Sequence, residues 1–78
     1  MDQIRKKVIA IVAENLEVSQ DDITESHHFF NDLGADSLDA VELLMAVEEA
    51  FGMLIPESER EELGTVGDLI AYVEAHKR

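Results

Sequence analysis

The sequence predicts an all-α fold: a small four-helix bundle of three longer helices and one short third helix, with a long loop between the first two. Apolar residues recur at helical spacing in three separate stretches, and no stretch reads as a strand. Turn formers gather at 17–35 and again around Gly52 and Pro56. With 78 residues and 46% apolar content, the chain is sized for a single domain, 1–78, that buries only about 60% of its surface on folding. No linker, repeat or low-complexity tract divides it.

Helix one is expected from about residue 3 to 16, where Ile4, Val8, Ile11 and Val12 share a face. Residues 17–35 lose that period and leave Ile23, Phe29 and Leu33 as isolated apolar anchors. Helix two begins near Ser37 and turns Ala40, Val41, Leu43, Leu44, Val47 and Phe51 to a broad apolar side, with Asp39, Glu42 and Glu49 on the other. Pro56 suits the first turn of a short third helix, and Glu57 and Glu59 suit its positive end. Thr65 and Asp68 form a capping-box pattern that opens a last helix, whose inner face is Val66, Leu69, Ile70 and Val73.

Charge narrows the function. Six cations against 18 acids give a net charge of −12, which argues against nucleic acid and anionic membranes and for basic protein partners. No lysine or arginine lies between Val8 and Glu59. The longest apolar run, residues 8–13, is too short for a membrane span or a secretion leader, and "MDQIRKK" has no leader-like organisation; a cytoplasmic monomer without membrane insertion is expected. There is no cysteine, so any thiol chemistry must use a sulfur that the chain does not encode.

The stretch "NDLGADSLDAVELL" sets Ser37 between two aspartates where a turn becomes a helix. As a nucleophile it would need a base and an orienter from His27, His28 and Asp36, but the flanking glycines of a nucleophile elbow are missing. A calcium loop from Asp21 fails at Ile23 and Ser26, and adjacent His27 and His28 make a poor ligand pair, so no specific metal site is expected. Covalent attachment fits better, because the first turn of a helix has free N–H groups and partial positive charge that suit a phosphate ester. The simpler alternative is that Asp36 or Ser37 is only the N-cap, with Asp39 closing a box. Leu38 and Met45 project beside the carboxylates, a pattern that suits docking by charge steering and small apolar contacts.

Residues 32–51, together with "FFNDLGADSLD", "IP" at 55–56 and "TV" at 65–66, resemble the acyl carrier proteins of dissociated (type II) fatty-acid synthesis along essentially the whole chain. The resemblance implies that Ser37 carries 4′-phosphopantetheine, derived from coenzyme A, whose thiol holds acyl groups as thioesters. The protein would then be a carrier and not an enzyme. It further implies that Asp36 and Leu38 are recognised by a phosphopantetheinyl transferase (holo-acyl-carrier-protein synthase), and that Asp39, Glu42, Glu48 and Glu49 meet basic patches on fatty-acid synthesis enzymes. Val41 and Met45 complete the expected partner-binding set, although helical spacing also turns Val41, and nearly Glu48, toward the apolar side.

The acyl chain is expected inside the bundle, against the apolar side of helix two. Departures from the family pattern are Glu17, where glycine often stands; Ala50, where an acid often stands; and "FGMLIP", whose Met53 and Leu54 replace a more polar stretch and could alter partner or chain-length preference. Within the carrier class, the alternative is a carrier for polyketide or another specialised acyl pathway. Outside it, the alternative is a non-covalent acidic interaction module.

Overall fold

The computed structural model describes residues 2–76, and among them the helices are α1 (Asp2–Leu16), α2 (Ser37–Phe51), α3 (Glu57–Arg60) and α4 (Val66–His76). A single 3₁₀ turn at Gln20–Asp22 interrupts the long loop. This is the expected all-α bundle with three longer helices and a short third.

The core draws on every longer helix: Val8, Ile9, Val12 and Ala13 of α1, Leu43, Leu44 and Val47 of α2, and Val66, Leu69, Ile70 and Val73 of α4 are all buried. On α1 the buried stripe is rotated from the expected one, with Ile9 and Ala13 inside and Ile4 and Ile11 only partly covered. The reason is that α1 packs against both α2 and α4, so its covered face is wider than one apolar row. On α4 the expected face is buried in full. Thr65 and Asp68 form the reciprocal box: the Asp68 N–H donates to Thr65 Oγ1 at 3.1 Å, and the Thr65 N–H donates to Asp68 Oδ2 at 3.2 Å.

The loop is ordered by two buried anchors, Ile23 and Phe29, and by a lacing of backbone bonds to the start of α4. The Phe29 N–H donates to the Gly64 carbonyl at 3.1 Å, Val66 to His27 at 3.1 Å and Gly67 to Glu25 at 2.8 Å. That last approach explains Gly67, since a Cβ there would sit 3.0 Å from the Glu25 carbonyl oxygen. His27 is occupied locally, its Nδ1 accepting from the Thr24 N–H at 3.1 Å. Pro56 stands at the N-cap of α3, one position before the expected first turn, because the helix itself starts at Glu57. On α4, burial and the Glu59 carboxylate of α3, which accepts its hydroxyl at 3.0 Å, hold Tyr72 above the usual tyrosine range.

Glu17 ends α1 with φ 56°, a left-handed conformation that costs a non-glycine residue about 1 kcal/mol or more. The Val18 N–H reaches back to the Ala13 carbonyl at 3.1 Å, which completes the helix-end motif. Glu17→Gly is therefore expected to raise the melting temperature by roughly 4–8 °C, the shift for about 1 kcal/mol in a domain of this size. Thermal denaturation followed by circular dichroism measures it, and a fall in melting temperature would contradict the assignment.

Candidate functional site

Asp36, extended at φ −105° and ψ −175°, is the N-cap of α2, and Ser37 is the first helical residue. Asp36 Oδ1 accepts from the Asp39 N–H at 2.8 Å, and Asp39 Oδ2 accepts from the Asp36 N–H at 3.2 Å, so both halves of a capping box are made by aspartates. Ser37 is exposed and has no part in the box. Of the two residues that could have capped α2, the cap belongs to Asp36, and the serine hydroxyl is left without that role.

The loop aims the serine. Gly34, at φ 72°, makes the turn before it; the Ala35 N–H donates to the Phe29 carbonyl at 2.9 Å; and Asp32 Oδ2 accepts from the His28 N–H at 2.7 Å. Burial of Phe29 and Ala35 thus fixes where α2 begins. No hydrogen bond joins Ser37 to His27 or His28 among the described residues, and His27 Nδ1 is already engaged, so the triad reading gains nothing from the geometry.

A cleft of about 390 Å³ is lined by Ser37 and by Phe29, Phe30, Ala40, Val41, Leu43, Leu44 and Leu63, with His28, Arg60, Glu61 and Gly64. Its size lies within the range of about 300–1,000 Å³ typical of small-molecule sites, and its wall is mostly apolar. Val41, expected on the apolar side of α2, is exposed, and it meets this cleft instead of the closed core. A more open hollow of about 770 Å³, lined by Met45, Glu48, Glu49, Gly52, Met53, Leu54 and His76, does not include Ser37.

The expected partner-binding residues separate into two groups. Leu38 (64% exposed), Val41, Glu42, Met45 and Glu49 lie open along α2, beside the exposed Asp36 and the half-buried Asp39. Glu48 does not join them: its side chain is only 17% exposed, and Oε2 accepts from the Ile55 N–H at 2.7 Å and from Arg60 Nη2 at 3.4 Å. Helical spacing, which placed Glu48 near the apolar side, agrees with this burial. In the loop after α2, Leu54 is 82% exposed while Met53 packs partly against the core. Arg60, which sequence reasoning passed over, lines the Ser37 cleft; its being the only lysine or arginine between Val8 and His76 was the available signal.

These residues suit a phosphate ester on Ser37. The hydroxyl is free and exposed, the first turn of α2 offers unpaired N–H groups and the positive end of the helix dipole, and an apolar cleft opens beside it. A family model described as "Phosphopantetheine attachment site" matches residues 6–73. Among curated proteins, the chain is 43% identical over 76 residues to an acyl carrier protein of Lactobacillus acidophilus, with 97% of this chain and 95% of that one covered. It is 49% identical over 76 residues to an acyl carrier protein of Prochlorococcus marinus, with the same coverage. It is also 49% identical over 74 residues to one of Porphyromonas gingivalis, with 95% of each chain covered. With a phosphopantetheine-attachment region across most of its length and near-full-length likeness to such relatives, the chain belongs to the acyl carrier protein family.

Proposed function

We propose that Ser37 is the phosphopantetheine attachment point and that the chain, as one monomeric cytoplasmic unit, delivers thioester-bound acyl intermediates between enzymes of fatty-acid synthesis without catalysing their chemistry. The observation that carries this is the division of labour at the start of α2: Asp36 and Asp39 complete the cap, and the exposed Ser37 hydroxyl faces a small apolar cleft. When bound, phosphopantetheine supplies the thiol that a chain without cysteine lacks. The chain's own residues do the rest. The capping box holds the turn, the Ser37 oxygen provides the ester link, and Val41, Leu44 and Leu63 shelter an acyl chain from water.

Docking follows from charge. Asp36, Asp39, Glu42 and Glu49 present an acidic face to a basic patch on the transferase or on a synthesis enzyme, and exposed Leu38 and Met45 add apolar contacts within it. No helix among the described residues is long and apolar enough to cross a membrane. Reconstitution tests the pathway. The phosphopantetheinylated chain, mixed with malonyl coenzyme A and purified enzymes of dissociated fatty-acid synthesis, is expected to accept malonyl and support elongation; acceptance only by polyketide enzymes would move it to the specialised carriers.

A further inference from the structure

The third helix is held to the bundle by an unusual means. It is four residues long, too short to be stable on its own, and has no side-chain cap. Its backbone approaches the other helices less than α1 approaches α2 and α4. Buried Ile55 and Leu63 pin the two ends of the 55–63 segment. Two polar ties lie between them: the Tyr72 hydroxyl of α4 donates to Glu59 Oε2 at 3.0 Å, and a second tie joins the segment to α2. Glu48 Oε2, on α2, accepts from the Ile55 N–H at 2.7 Å and from Arg60 Nη2 at 3.4 Å, while Arg60 Nε donates to the Ile55 carbonyl at 3.2 Å.

One carboxylate and one guanidinium therefore close a ring through α2, the turn before α3 and α3 itself. The two side chains are 17% and 28% exposed, so water and salt screen these charge-assisted bonds less than they would a surface pair. Arg60 also lines the cleft that includes Ser37, with Glu61 and Leu63 from its own segment and with Val41 and Leu44 from α2. Whatever fixes the 55–63 segment fixes one wall of that cleft.

We propose that Glu48 and Arg60 are positioning residues forming a latch that holds the 55–63 segment against α2 and so sets how firmly the cleft retains an acyl chain. This rests on the reading that the cleft shelters the acyl chain. The latch works through the wall and makes no bond to the thioester.

The test loads wild type, Glu48→Ala, Arg60→Met and Arg60→Lys with acetyl or octanoyl thioester and measures cleavage by hydroxylamine, well below the melting temperature, relative to the same thioesters of free pantetheine. Amide hydrogen exchange at Ile55 is followed in the unloaded chains. Loss of a partly screened, charge-assisted tie predicts about fivefold faster octanoyl cleavage and faster Ile55 exchange in Glu48→Ala and Arg60→Met. Acetyl cleavage, which a remote wall does not shield, is expected to stay unchanged, and Arg60→Lys to recover part of the protection. A protected octanoyl thioester in wild type with equal protection in both variants overturns the latch and leaves the cleft standing. An octanoyl thioester cleaved in wild type as fast as the free one overturns the cleft itself, and the latch's role in cargo retention with it.

Discussion

Octanoyl loading is expected to raise the melting temperature of the holo chain by roughly 12–24 °C. Each buried methylene contributes about 0.8 kcal/mol, so an octanoyl chain sheltered over about half its surface contributes about 3 kcal/mol, within an upper bound of about 6. The acyl group is tethered, so no translational freedom is lost when it enters the cleft, and it stabilises only the folded state. In a domain of this length about 1 kcal/mol moves the melting temperature by about 4–8 °C. Differential scanning calorimetry of holo, acetyl and octanoyl forms measures the increment. Equal melting temperatures for holo and octanoyl forms would contradict an internal site.

The second large effect lies in the core. Leu69 is fully buried on α4 and Leu54 is 82% exposed after α2, so truncating each to alanine removes the same atoms from opposite surroundings. Leu69→Ala loses apolar burial and leaves a cavity, about 2–5 kcal/mol together. A chain of this size has about 4–12 kcal/mol of stability in all, so much of it goes. Leu54→Ala is expected to stay within about 0.5 kcal/mol. Urea unfolding of both variants checks the contrast, and a Leu54→Ala loss as large as that of Leu69→Ala would mean that the loop after α2 packs inward.

The four helices were legible because each carries a local signal. The Thr65–Asp68 box and the spacing of Val66, Leu69, Ile70 and Val73 gave α4 both its start and its buried face. The motif made Ser37 the candidate attachment point, and its exposure beside an aspartate cap is what the proposal rests on. What eluded the sequence depends on tertiary neighbours. Helical spacing treats an apolar side as one surface, so it could not tell that Leu43 closes into the core while Val41 borders an open cleft. The tight approach of Gly67 to Glu25 and the reach of Glu48 to Ile55 and Arg60 join residues distant along the chain, which periodicity does not register. Glu17 does not advertise its left-handed turn as glycine or asparagine would, and the clue was the glycine that often stands there in the family pattern.

The role of Ser37 is tested most directly by intact mass. Purified wild type and Ser37→Ala are incubated with coenzyme A, magnesium and a broad phosphopantetheinyl transferase. Wild type is expected to gain one phosphopantetheine and Ser37→Ala none, both chains remaining helical because Asp36 and Asp39 still cap α2. An equal gain in Ser37→Ala, or no gain in a folded wild-type chain that the transferase binds, would contradict attachment at Ser37.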